Sequence, residues 1–341
     1  METQIIQPNN GMFLKPVKTT TIIGNKQENS NVTTKYKRKA FIEANTSSVS
    51  LSHLKKDCII PVFSKDNEKT LAHQEYIEVA QECAYSMFPN QQIELPEVRV
   101  SHQIKGRVPS AIHKSAKELL DNEKTIYYER MAFLMRIPSI TANINGNDIA
   151  LAIGGVRAYN QENLYSKKTY EKFKFFIGFQ NLVCCNLCVS TDGYSGDLKA
   201  DNYHSLKSKI TQILQQYKAE QHIQNMRLLG SHYLSEHEFA QLIGRARLYN
   251  YLPKRDKVAI PELHLNDGQI STVARDYYQD DSFCKSENGD INLWKLYNLF
   301  TQANKSSYID TFLDRSNNAY NFSNSLLKAL NGSNNYHWFL S

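Results

Sequence analysis

The stretch FKFFIGFQNLVCCNLCVSTDG, Phe173 to Gly193, is the most continuously apolar run in the 341-residue chain. Phe173, Phe175, Ile177 and Phe179 alternate with Lys174 and Gln180, the period-2 pattern of a strand with one buried face. After Asn181 the alternation disappears. Leu182, Val183, Cys184, Cys185, Leu187, Cys188 and Val189 are apolar on both faces, so the run reads as one strand passing from half-buried to fully buried before an Asp192-Gly193 turn.

Two more strands precede it. The segment from Thr125 to Asn145 is extended and reaches an Asn145-Gly146 pair, and Asp148 to Tyr159 follows. Two strands around Asn-Gly predict a hairpin. In its second strand Ala150, Ala152 and Gly154 sit opposite Ile149, Leu151 and Ile153, and such small residues predict close packing by a helix or a neighbouring backbone. Residues 160–172 form a charged loop.

Further back, Val98 to Val108 alternates as a strand. Val98, Val100, His102 and Ile104 lie on one face, and Arg99, Ser101, Gln103, Lys105 and Arg107 on a wet, basic one. A short helix from Pro109-Ser110 to Leu120 follows. Lys69 to Phe88 carries Ala72, Tyr76, Val79, Ala80, Cys83, Ala84 and Met87 in one helical stripe. Cys58 to Phe63 reads as a short strand, placed at a sheet edge by Pro61.

Beyond Ala200 the pattern is helical to the end: 201–229, 235–250, 266–278, a helix after Asp290, and two short helices, the second from Ser323 to Leu330. Ser235 and Glu238 form a capping box, with Leu234 and Phe239 as a hydrophobic staple. The expected class is α+β: a mostly antiparallel sheet with flanking helices over 46–200, a helical region over 201–341 packed on it, and a flexible basic tail over 1–45.

Charge is unevenly distributed. Residues 1–60 hold nine Lys/Arg and four Asp/Glu, so the remaining residues hold 31 and 30. The body is close to neutral, and the densest charge is the Lys35-Tyr36-Lys37-Arg38-Lys39 cluster, which reads as a solvated tail or as a phosphate-binding arm. No apolar run approaches membrane-spanning length and Met1 to Lys15 lacks a signal-peptide core, so a cytoplasmic protein without a membrane partner is expected. Six irregularly spaced cysteines suit a reduced compartment.

Signatures of chemistry are sparse. Cys185 and Cys188 form a CxxC, but strand alternation points them to opposite faces and no second pair accompanies them, so buried free thiols are expected and no metal site. Gly154-Gly155 lacks the spacing of a phosphate-binding loop, and neither HExxH nor GxSxG occurs. No cofactor and no catalytic residue is assigned, and the balance leans away from an enzyme. The basic strand face is the leading candidate site: Arg99, Lys105 and Arg107, extended by Arg157, Tyr159 and Lys174, with Lys35, Lys37, Arg38 and Lys39 from the tail. Cations for phosphates beside aromatics for bases suit single-stranded nucleic acid. The alternative is an ordinary solvated face, with Arg157 paired to Glu129 or Glu171. A second cluster, Arg245, Arg247, Lys254, Arg255 and Lys257, flanks a helix end and suits its dipole.

Five motifs carry a resemblance: VRVSHQIKGRVP (98–109), TIYYERMAFLMRIPSI (125–140), LAIGGVRAYNQENLYSKK (151–168), KFKFFIGFQNLVCCNLCVSTDG (172–193) and INLWKLYNLFTQANKSSYIDTFLDR (291–315). Together they resemble the Domain of Unknown Function 3871 family over about residues 45 to 341, a family distantly similar to the phage- and plasmid-like Domain of Unknown Function 932. The resemblance implies an association with conjugative elements and prophages, and hence DNA handling or the countering of host defence. Two functions are expected to compete: nucleic-acid binding by a mobile-element protein, and a protein-interaction module such as a host-defence inhibitor or an assembly subunit binding a host or element-encoded protein.

Overall fold

The computed structural model describes residues 40–60, 70–161 and 170–341, together with the backbone but not the side chains of 334–336. The basic cluster at 35–39 and the second half of the 58–63 segment lie outside them. In chain order the elements are β1 (Ser47–Val49), α1 (Leu51–Lys56), α2 (His73–Met87), β2 (Glu97–Val100), β3 (Gln103–Arg107), β4 (Lys124–Tyr128), β5 (Arg130–Ile144) and β6 (Asn147–Ala158). Then come β7 (Glu171–Asn181), β8 (Leu187–Cys188), β9 (Tyr194–Ala200), α3 (Tyr203–Gln216), α4 (Ala219–Gly230), β10 (Tyr233–Leu234) and α5 (Glu236–Tyr251). Last are α6 (Lys254–Lys257), α7 (Asp267–Gln279), β11 (Ile291–Asn292), α8 (Leu293–Asn304) and α9 (Ile309–Leu330). The class is α+β, with a curled antiparallel sheet first and the helices gathered toward the C-terminus.

The main sheet has seven strands in the order β1-β2-β5-β6-β7-β8, with β9 also paired to β7. Its centre is the expected hairpin. Asn145 and Gly146 both take positive φ, +48° and +81°, as a tight turn that follows strand twist requires. The alternation of the opening stretch holds through β7: Phe173, Phe175, Ile177 and Phe179 enter the larger core with α2, α3, α4 and α8. Phe176 faces the other way, into a smaller core made with Phe41, Ile42 and the first turn of α9 through Ile309, Phe312 and Leu313. Helices therefore cover both faces of the central strands. The small residues of β6 have the expected cause. A Cβ at Gly155 would collide with the Tyr76 hydroxyl of α2, and one at Gly154 with the Phe133 carbonyl of β5.

After Asn181 the stretch departs from a continuous strand. Residues 182–185 turn and β8 runs back antiparallel along β7, pairing Phe179 with Cys188 and Gln180 with Leu187. Asparagine makes the turn. Asn181 Oδ1 accepts the Val183 N–H at 2.9 Å, the Asn181 carbonyl accepts the Cys185 N–H at 2.9 Å, and Cys185 takes φ +62°. Leu182 and Val183 consequently stand exposed. The turn is held to α8 by Asn298, whose Oδ1 accepts from Asn181 Nδ2 at 3.3 Å and from Asn186 Nδ2 at 3.4 Å. Cys184, Cys185 and Cys188 are buried free thiols, and burial pushes the Cys184 thiol up to about 11.

Other expectations are corrected locally. The 98–108 strand breaks at Ser101-His102 into β2 and β3, which belong to different sheets, and His102 is exposed. The helix expected to Leu120 is one 3-10 turn at Pro109–Ala111 followed by irregular turns. The helix expected over 201–229 is two, α3 and α4, because Tyr217 is extended (φ −66°, ψ 129°) between them. The two short terminal helices are one 22-residue helix, α9. The α5 capping box forms as expected: Ser235 Oγ accepts the Glu238 N–H and Glu238 Oε2 accepts the Ser235 N–H.

Candidate nucleic-acid interface

The structure scatters the residues expected on one basic face. Arg99 lies on β2 and donates through Nε to Thr46 Oγ1 at 3.0 Å and through Nη2 to the Thr46 carbonyl at 2.9 Å. Those bonds tie the chain just before β1 to β2. Arg157 is only 1% exposed, and its guanidinium donates to Glu171 Oε2 at 2.7 Å and to the Leu71 carbonyl. It also stands over the rings of Tyr159 and Phe173, at 4.8 and 4.6 Å from their centroids. Glu171, one of the two carboxylates weighed for Arg157, is the one that pairs with it. Tyr159 is buried and stacked on His73 at 4.2 Å. The imidazole is enclosed beside Arg157, and burial first, then that cation, lowers its pKa to about 3.

Lys174 docks a helix. Its Nζ reaches Asp314 Oδ2 at 2.5 Å and the Asp310 carbonyl at 2.5 Å, both on α9. Tyr194 adds a second bond to Asp314, at 2.5 Å to Oδ1. Arg157, Tyr159 and Lys174 thus face the interior: Arg157 and Tyr159 share the phase of Ile149, Leu151 and Ile153 toward the larger core, and Lys174, on the opposite face of β7, lies under α9. β6 and β7 are covered on both sides, so alternation there distinguishes two cores and not core from solvent.

Lys105 and Arg107 belong to a different unit. β3 and β4 form a separate two-stranded ribbon, paired antiparallel with Lys105 opposite Ile126 and Arg107 opposite Lys124. Directly opposed residues share a face, so Lys105, Arg107 and Lys124 come together on one side. Lys105 and Lys124 are exposed and Arg107 half-exposed. The ribbon is braced from behind and below. Ile59 N–H donates to the Ile126 carbonyl at 3.0 Å along the outer edge of β4, and the Tyr128 hydroxyl meets His53 Nε2 at 3.0 Å. Val108 N–H closes the base of the 108–123 segment on the Glu123 carbonyl at 2.9 Å, and Arg107 donates to the Lys114 carbonyl within it.

Acids temper this face. Lys124 pairs with Asp121 at 2.7 Å and Lys114 with Glu123 at 2.5 Å, both exposed on at least one side. Such pairs are worth little in water and open readily to a competing phosphate. Lys105 has no ion pair among the described residues, and Lys117 and His113 stand exposed nearby. Lys124 was absent from the residues expected from sequence. Pairing the 98–108 strand with the 124–128 strand would have found it, since that register sets it opposite Arg107.

The second cluster is partly internal. Arg245 donates to the Ser341 carbonyl at 2.6 Å and covers the Trp338 ring, and Lys257 stands over Tyr249. Arg247, Lys254 and Arg255 remain exposed at the α5–α6 corner beside Leu248, Tyr251 and Val258.

One sizeable cleft lies apart from the ribbon. It encloses about 560 Å³ between residues 43–45, α7, the end of α8 and the start of α9, with Asn45, Thr272, Arg275, Gln302 and Tyr308 on its walls. Among the described residues no group of three or more His, Cys, Asp or Glu is arranged to hold a metal ion. No described helix is long and apolar enough to cross a membrane.

A family model described as "Domain of unknown function, B. Theta Gene description (DUF3871)" matches residues 23–340. No curated protein and no solved structure matches the chain.

Proposed function

The chain belongs to the Domain of Unknown Function 3871 family, and from that membership and the geometry above we propose that it is a nucleic-acid-binding protein of mobile elements. Phosphates meet the β3–β4 ribbon, and the Lys35–Lys39 cluster serves as a second basic contact. The observation that carries the reading is the register that sets Lys105, Arg107 and Lys124 on one face of a ribbon outside the main sheet. Extended cations at strand spacing can follow a sugar-phosphate backbone, and their contribution is electrostatic and salt-dependent. Ordered single strands are the favoured substrate, and the action on them is binding without chemistry.

The test is fluorescence anisotropy on labelled single- and double-stranded oligonucleotides at two salt concentrations, with wild type beside the Lys105→Ala/Arg107→Ala/Lys124→Ala variant. The variant is expected to lose at least tenfold in affinity at low salt and to flatten the salt dependence by about two charges. Equal affinity and slope in both proteins sinks the ribbon as the contact surface.

A second reading has its own observation. Leu248, Tyr251 and Val258 are exposed together at the α5–α6 corner with Arg247, Lys254 and Arg255. An apolar and aromatic centre ringed by cations suits an acidic protein partner. Leu248→Glu with Val258→Glu abolishes such a complex and leaves nucleic-acid affinity unchanged; loss of oligonucleotide binding in that variant contradicts this second reading.

A further inference from the structure

We infer that Ile112 and Leu120, carried on the 108–123 segment that closes the β3–β4 ribbon, wedge between neighbouring bases of a bound strand, and that this wedge is the source of the preference for single strands. The inference rests on the nucleic-acid reading above and adds to it a contact that charge does not make. The segment folds on itself. Ala111 is buried and Leu119 half-buried, and the residue after each stands outward: Ile112 is 58% and Leu120 60% exposed. One carboxylate clasps the two limbs. Glu123 Oε1 accepts from Lys114 Nζ at 2.5 Å, and Glu123 Oε2 accepts the Leu120 N–H at 2.9 Å. On the Ile112 limb, the Ile112 N–H meets the Pro109 carbonyl at 3.3 Å and Arg107 donates to the Lys114 carbonyl. Both aliphatic side chains are thus presented to solvent from a braced backbone, and neither fills the segment's own interior.

The surroundings choose the partner. Residues 103–124 hold five Lys/Arg against three Asp/Glu, and two of those acids, Glu123 and Asp121, are already paired to Lys114 and Lys124. A polyanion is drawn to such a surface. Lys105 and Arg107 lead at strand spacing directly into Val108, an arrangement that suits a chain of phosphates better than a flat lipid surface. Aliphatic groups beside that path need an apolar surface on the polyanion, and base faces supply one. Leucine and isoleucine are among the side chains that part base steps. In a duplex such a wedge breaks stacking on both strands and strains their pairing, whereas a single strand gives up one stack and has no pairs to lose. The wedge therefore penalises duplex relative to single strand.

The experiment compares wild type with Ile112→Ser/Leu120→Ser and with the conservative Ile112→Leu/Leu120→Met. Anisotropy is read on a labelled single strand and its duplex at two salt concentrations. A single strand carrying 2-aminopurine within a purine run reports unstacking, because its fluorescence rises when its neighbours part. Wild type is expected to prefer the single strand and to raise that fluorescence. The serine variant is expected to lose about tenfold on the single strand and little on the duplex, with the salt slope of wild type and no rise in fluorescence. The conservative variant is expected to keep both, and the unfolding midpoint to stay unchanged in the two variants, since both side chains are exposed. If the serine variant binds and unstacks like wild type while Lys105→Ala/Arg107→Ala/Lys124→Ala fails, the wedge is overturned and the ribbon stands. If the ribbon variant binds normally and the serine variant fails, the ribbon falls and the wedge stands. A serine variant whose loss comes with a shallower salt slope overturns the wedge, because the contact removed is then electrostatic. Phosphatidylserine vesicles bound by wild type and not by the serine variant, with no oligonucleotide bound, overturn it in favour of a lipid surface, and no binding of oligonucleotide or vesicle overturns it outright.

Discussion

Arg157 and Lys174 in the main sheet each hold a carboxylate of their own chain, whereas Lys105 in the ribbon stands exposed with no ion pair among the described residues. The residue types and the strand setting are the same. The difference is what covers the second face. β6 and β7 are covered on both faces, Arg157 lying on the side of the larger core with Leu71 and Phe173 and Lys174 under α9, so a cation on either face must bring its counter-charge and its hydrogen bonds inside. Among the described residues no second layer of that kind covers the ribbon's basic face, and a cation there can be left to water and to partners. A basic residue on a strand is thus a candidate contact only once the layer above it is known.

That contrast sets a ladder of expected effects. The largest belongs to Arg157→Ala, which strands the buried Glu171 carboxylate and is expected to cost about 3–5 kcal/mol in urea unfolding. A cost below about 1 kcal/mol would place Arg157 with the surface cations after all. Next comes Asn298→Ala. It removes the acceptor shared by Asn181 and Asn186 and is expected to cost about 2 kcal/mol. Wild-type stability in this variant would show that the β7–β8 turn holds itself without α8.

Acid tests the interior as a whole. Burial lowers both His73 and His222 to about 3, well under the ordinary 6.5 of a histidine. As pH falls below 6.5 the unfolded chain takes up protons that the native protein refuses. Native stability is therefore intact above 6.5 and is lost progressively toward 3, by about 1 kcal/mol per pH unit for each histidine. Unfolding midpoints measured from pH 7 to 4 give that slope, and His222→Phe should roughly halve it; a flat profile in wild type contradicts the buried, neutral assignment. The smallest effect belongs to the ribbon. Lys105→Ala and Lys124→Ala are each expected to change stability by less than about 0.5 kcal/mol, because exposed cations contribute little to folding.

Much of the fold was legible because periodicity and turn chemistry are local. Asn145-Gly146 announced its hairpin, Ser235 and Glu238 their helix start, and the alternating phenylalanines of β7 their core. The reading went wrong where a local signal had a distant cause. The apolar run after Asn181 gives no sign that Asn298, more than a hundred residues away, will clamp a turn there. The alternation of 98–108 is continuous in sequence, yet its two halves find different partner strands. At the candidate interface, Lys105 and Arg107 were visible in the sequence, while Lys124 needed the register. Arg157 and Tyr159 share the phase of Ile149, Leu151 and Ile153, so alternation already put them on the core side and their charge and hydroxyl hid it; Lys174 has the opposite phase, and only the α9 layer turns that phase inward. The cleft at Tyr308 draws on residues from 43 to 308, so nothing in local sequence marks it.

The most direct test of the account is the salt dependence of single-strand binding, measured by anisotropy on wild type and on the variant with Lys105, Arg107 and Lys124 changed to Ala. The account predicts tight, salt-sensitive binding by wild type, and in the variant an affinity at least tenfold weaker with a slope shallower by about two charges. Equal affinities and parallel slopes would contradict it.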